Sequence, residues 1–129
     1  MSTWRREALK RIPECRSVVE EADSPMALWL DLSSEFDGAV ESGNNDLVRR
    51  ILMYGAWCLS ERSGRLPNDT SSAAWVGFFE DLPTKREYWP SFREWFYPYE
   101  SEALLPAFQF LLSDEDFKEL RNTYAYGVQ

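Results

Sequence analysis

A start signal, an apolar stripe and a stop signal follow one another twice between Asp23 and Gly64, and this punctuation commits the region to a helical hairpin. Asp23-Ser24 offers capping oxygens, and Pro25 stands at the first helical position, where its missing N–H is no loss. Trp29, Leu32, Phe36 and Val40 then recur at i, i+3, i+7 and i+11, which is one face of a helix running to about Ser42. Gly43-Asn44-Asn45 breaks that helix, and Asn44 or Asn45 caps the next. Leu47, Ile51, Tyr54, Gly55, Cys58 and Leu59 share a face of this second helix, which runs to about Ser63 before Gly64 supplies a left-handed terminus. A short loop between two such helices makes them antiparallel neighbours.

The remaining chain has the same helical period, and strand alternation is hard to find. Trp4, Ala8, Leu9 and Ile12 mark a helix over Thr3–Ile12, and Pro13 ends it or begins a second short helix to about Ala22. A turn at Pro67-Asn68-Asp69 precedes a helix over Ser71–Asp81 with Trp75, Phe78, Phe79 and Leu82. Thr84 and Glu87 have capping-box spacing, and a short aromatic helix is expected to start near Pro90. A further helix spans Glu100–Leu112. Ser113 and three acids open the last one, whose stripe is Phe117, Leu120 and Tyr124. The expectation is an all-α single compact domain over residues 1–129, with about six or seven helices. Residues 1–22 form its N-terminal segment and residues 25–124 its main helical stack.

Chemistry is constrained by the absence of histidine from all 129 residues. That removes the commonest general base and the commonest metal ligand together. Cys58 has no imidazole to activate it and sits on an apolar helical face, so it reads as a buried thiol. No Gly-rich phosphate loop, nucleophile elbow or Ca²⁺ loop is present. Asp31 and Glu35 lie on one edge of the Pro25–Ser42 helix and Asp37 and Glu41 on the other, so these carboxylates flank the buried face and do not converge on a metal. No enzyme, no metal and no cofactor are expected.

Charge is unevenly distributed. The net charge is −8. Between Ser17 and Val48 stand Glu20, Glu21, Asp23, Asp31, Glu35, Asp37, Glu41 and Asp46 with no Lys or Arg, while Arg5, Arg6, Lys10, Arg11 and Arg16 precede them. An acidic chain does not track phosphates or dock on anionic membranes, so neither nucleic acid nor membrane is an expected partner. Glu20, Glu21, Asp23, Asp31, Glu35, Asp37 and Glu41 are the candidate contacts for a protein with a basic surface. The ordinary alternative is a solvated face that serves solubility.

A second candidate is the aromatic block Tyr88, Trp89, Phe92, Trp95, Phe96, Tyr97 and Tyr99. Most of it has the spacing of a core face, while Trp89, Trp95, Tyr97 and Tyr99 are the residues that would line a small-ligand or enzymatic pocket. The N-terminus lacks the apolar run of a signal peptide, and the two cysteines make no disulfide framework, so a cytoplasmic location is expected. Oligomeric state is left open.

The patterns Leu30-x-Leu32-x-x-x-Phe36, Leu52-x-Tyr54-x-x-Trp57-Cys58-Leu59, Asp81-Leu82-Pro83 and Leu112-Ser113-x-Glu115-x-Phe117 resemble a group of small bacterial all-helical proteins of unknown function. The resemblance covers about Pro25 to Tyr124. It implies an armadillo/HEAT-like stack of antiparallel hairpins, or an orthogonal bundle, of the kind used for binding. It brings no catalytic residues. By analogy with small acidic helical proteins of bacteria, an immunity or antitoxin role against a basic toxin is one form that binding would take.

Overall fold

The computed structural model describes residues 2–59, 73–92, 95 and 112–126, and every regular element among them is helical. The chain packs as two compact units, Met1–Phe79 and Glu80–Gln129. The N-terminal segment 1–22 belongs to the core of the first unit. The expected Glu100–Leu112 helix and the Pro67 turn lie outside the described residues.

The first unit contains α1 (Thr3–Arg11), a 3₁₀ turn (Pro13–Cys15), α2 (Arg16–Glu21), α3 (Pro25–Glu41), α4 (Asn45–Leu59) and a π-helical turn (Trp75–Phe79). The α3 start forms as its sequence dictates: the Ser24 hydroxyl accepts from the Ala27 N–H at 3.2 Å, and Pro25 occupies the first turn. At the other end Gly43 adopts φ +75°, and the Asn44 N–H reaches back to the Ala39 carbonyl at 2.8 Å. The Asn44 side chain then accepts from the Leu47 N–H at 3.3 Å and opens α4. One glycine and one asparagine thus serve two helix ends.

Trp29, fully buried on α3, is the hub of this unit's core. Its ring stacks on Tyr54 of α4 at 5.5 Å and on Phe78 at 5.1 Å, with Phe79 at 6.3 Å. Phe36 meets Phe78 edge-on at 5.0 Å. Of the expected α3 stripe, Trp29, Leu32 and Phe36 are fully buried and Val40 is half-buried, while Leu28 and Ala39 complete the inner face. Trp4, Ala8 and Ile12 bury the first helix, and the Tyr54 hydroxyl donates to the Trp4 carbonyl at 3.0 Å.

Two expectations need correction. The Ser71–Asp81 helix is not a regular α-helix where described: after Ala73-Ala74 it widens into the π turn. The cause is tertiary. A Cβ on Gly77 would stand 3.0 Å from Cβ of Trp29, so the bare backbone seats directly on α3. There the Ser33 hydroxyl donates to the Gly77 carbonyl at 3.0 Å, a contact shared with the Trp29 carbonyl at 2.9 Å. The Thr84–Glu87 capping box also does not form. The Thr84 hydroxyl instead donates to the Asp81 carbonyl, and the chain takes 3₁₀ turns over Leu82–Thr84 and Arg86–Ser91. Pro90 lies inside the second turn, where a residue with no N–H to give suits a short 3₁₀ run, and Phe92 and Trp95 just beyond it are α-helical, as expected of a short aromatic helix starting near Pro90.

In the second unit the Arg86–Ser91 turn packs on α5 (Asp114–Tyr126), and the Leu82–Thr84 turn packs on the Arg86–Ser91 turn. Ser113 caps α5 by accepting from the Asp116 N–H at 3.1 Å, and Asp114, Glu115 and Asp116 sit in its first turn, where the helix dipole favours acids. Arg86 ties the turn to the helix through Asp116 at 3.0 Å and Glu119 at 2.6 Å. On the α5 stripe Leu120 is fully buried and Phe117 half-buried.

Candidate interaction surface

The acidic surface is defined by where the arginines go. Arg5 turns away from solvent acids and donates to the carbonyls of Val19 and Ala22, closing the end of α2. Arg11 pairs with Glu7 at 2.8 Å, and Arg16 with Glu20 at 2.7 Å. Arg50 binds Glu14 and Asp46 and also reaches the Arg11 carbonyl at 3.3 Å. These four guanidinium groups are thus engaged by groups of α1, the 3₁₀ turn, α2 and α4.

Among the sequence-predicted contacts, Glu20, Glu21, Asp23, Asp31, Glu35 and Glu41 are exposed, and Asp37 is half-buried. Glu20 is held by Arg16. No ion pair with another described residue involves Glu21, Asp23, Asp31, Glu35 or Glu41. On α3 the acids do flank the inner stripe: at about 100° per residue, Asp31 and Glu35 fall on one side of it and Glu41 on the other. Asp31 and Glu35 are also four apart on one helix, a like-charge spacing that costs the isolated helix roughly 0.2–0.5 kcal/mol.

Sequence reasoning missed the apolar residues on this side. Leu30 is 60% exposed and Met26 37% exposed, and they stand four apart on α3. The signal was available, because Leu30 falls out of phase with the Trp29–Leu32–Phe36 stripe.

The Glu14–Arg50 pair controls a small acid response. The Arg50 hydrogen bond pulls the Glu14 carboxyl down from 4.5 to about 2. A depressed carboxylate stabilises the fold above its unfolded value, and that contribution fades as pH falls from 4.5 toward 2. Glu14 is 43% exposed, so solvent screening holds the effect to about 0.5 kcal/mol. Glu14→Gln should lower the urea midpoint at pH 7, and the gap to wild type should close by pH 2; a gap constant with pH would show that the charge contributes nothing.

The aromatic block lies in the second unit. Trp89 and Trp95 are buried, as is Phe92. The Trp89 indole N–H donates to the Pro83 carbonyl at 2.8 Å, and Arg86 covers its ring at 4.5 Å. Tyr88 meets Trp95 edge-on at 5.4 Å, and Phe92 packs on Trp95 at 5.9 Å. These rings are engaged with one another and with backbone. Tyr97 and Tyr99 lie outside the described residues.

Cys15 and Cys58 are free, buried thiols. Burial pushes Cys15 up to about 11 and Cys58 up to about 12, which keeps both protonated near neutral pH. Cys58 shares hydrogen bonds with Tyr54 and Trp29. Among the described residues no group of three or more Cys, Asp or Glu is placed to hold a metal ion, and no helix is long and apolar enough to cross a membrane.

Fold and surface together define a class: an all-α protein with an acidic, partly apolar outer helix. Comparison with protein-family models, with curated proteins and with solved structures returned no match.

Proposed function

We propose that this chain is a non-enzymatic protein-binding module whose acidic surface, centred on α3 and the end of α2, receives a basic protein. The observation that carries the reading is the disposition of charge: Glu21, Asp23, Asp31, Glu35 and Glu41 are exposed without an ion pair to a described residue, while Arg5, Arg11, Arg16 and Arg50 are engaged by other groups of the chain. A cationic partner would gain from acids that nothing else neutralises, and association would be fast and salt-sensitive. An immunity- or antitoxin-type module, masking the basic surface of a toxin in a bacterial cytoplasm, is one form of this function.

The test is affinity capture from the source lysate at low and moderate salt, with wild type beside Asp31→Lys/Glu35→Lys. Wild type should retain a basic protein that is lost with salt and lost in the double variant, while both chains melt alike because both positions are exposed. Capture by the double variant equal to that by wild type, at every salt, would refute the acidic-surface reading.

A further inference from the structure

Of the four described glycines, three are required by the fold. Gly43 has φ +75°. Gly55 lets the Phe79 ring approach to 2.6 Å of where a Cβ would stand, and Gly77 lets Trp29 approach to 3.0 Å. Gly38 is different. It lies inside α3, its φ is not positive, and a Cβ there would meet no described atom within 4 Å. A glycine in an exposed helix interior is a poor helix former with nothing to gain from solvent. Its one structural advantage is to let another backbone come close.

Its surroundings give that advantage a direction. At about 100° per residue, the outward midline of α3 carries Ala27, Ser34 and Gly38, all small. Leu30, 60% exposed, borders the midline on one side together with Glu41, and Met26, 37% exposed, lies beyond it toward the π turn, its sulfur 3.4 Å from where a Cβ of Gly77 would stand. Asp31 and Glu35, both exposed, border the other. The face is therefore shallow along its centre, apolar at one end and edged by carboxylates.

Resting on the protein-binding reading above, we propose that the outward face of α3 is a seat for a basic amphipathic helix. The partner's apolar residues would cover Met26 and Leu30, its backbone would cross close to Ser34 and Gly38, and its Lys or Arg side chains would reach Asp31, Glu35 and Glu41. Charge chooses among the occupants. A second copy of this chain, packed by a two-fold through the same face, would set these carboxylates against their own counterparts. An anionic lipid surface would be repelled in the same way. A helix with cations beside an apolar stripe meets both halves of the face.

The probe is a synthetic helix-forming peptide of about 18 residues, five turns, with Leu on one face and Lys beside it, compared with a scrambled peptide of the same composition. Binding is followed by fluorescence anisotropy of labelled peptide, with circular-dichroism melts of every variant. Wild type should bind the amphipathic peptide at least tenfold more tightly than the scrambled one. Leu30→Gln and Gly38→Gln should each weaken binding tenfold or more, with melting unchanged for the first and unchanged or higher for the second.

Equal affinity for both peptides would overturn the helix seat. So would full binding by Leu30→Gln and Gly38→Gln; if Asp31→Lys/Glu35→Lys then abolished it, the acidic-surface function would stand without the seat. No binding of either peptide at low salt would sink both. A concentration-dependent dimer of wild type that Leu30→Gln dissolves would assign the face to self-association and overturn the basic partner.

Discussion

Trp29→Ala should cost the first unit about 3–5 kcal/mol, the range for emptying a large aromatic site in a core. The indole is fully buried and touches three rings at once, Tyr54, Phe78 and Phe79. Its removal leaves a hole between α3, α4 and the π turn. It also strips a hydrogen-bond partner from the Cys58 thiol. Domains are stable by about 5–15 kcal/mol in total, so this loss takes a large share. Urea unfolding followed by far-UV circular dichroism would show the midpoint collapse. Trp29→Phe, which keeps a ring, should recover part of it. A loss below about 1 kcal/mol for the alanine variant would mean that Trp29 is not the hub.

Gly55→Ala should be the next most damaging change, although it adds only a methyl group. Ideal Cβ geometry at Gly55 stands 2.6 Å from two carbons of the Phe79 ring and 3.1 Å from the Trp29 indole. Both rings are buried and neither has a free direction in which to retreat. Overpacking of this kind costs about 1–3 kcal/mol, against the roughly 1 kcal/mol that Ala gains over Gly in a helix. The net sign should therefore be destabilising. Phe79→Leu in the same chain should relieve part of the clash, so the double variant should be more stable than the sum of the single changes implies. Strictly additive costs would show that Gly55 and Phe79 do not meet.

The hairpin was legible in the sequence because its information is local. Ser24 and Asn44 cap from fixed offsets, Gly43 turns the chain, and the stripe from Trp29 to Phe36 needs only helical phase. Helical phase likewise placed Asp31, Glu35 and Glu41 on the outside. The π turn was not legible, because its cause is the fit of Gly77 onto Trp29 and Ser33, more than forty residues away in sequence. The arginines were legible only in part. A run of basic residues beside a run of acids suggests mutual pairing, yet Arg5 takes backbone carbonyls and Arg50 gathers Glu14, Asp46 and the Arg11 carbonyl. Arg11–Glu7, Arg16–Glu20 and Arg50–Asp46 have the i,i+4 spacing that a sequence encodes, whereas the Arg5 bonds and the Arg50–Glu14 pair are set by tertiary geometry, which no spacing encodes. Gly38 was visible as a letter, but its meaning required knowing that the other three glycines have structural reasons.

The bond from the Tyr54 hydroxyl to the Trp4 carbonyl also sets the boundary of any smaller autonomous piece. A fragment beginning after Ile12 would keep the hairpin but leave that hydroxyl without its acceptor and the α4 face that carries it without its wall. It would also free the carbonyls of Val19 and Ala22 that Arg5 now holds. The minimal folding unit on this side of the molecule accordingly runs from α1 through the π turn. Subdividing it at the Ala22–Pro25 junction, between the N-terminal segment and the main stack expected from the sequence, would cut through one shared interior.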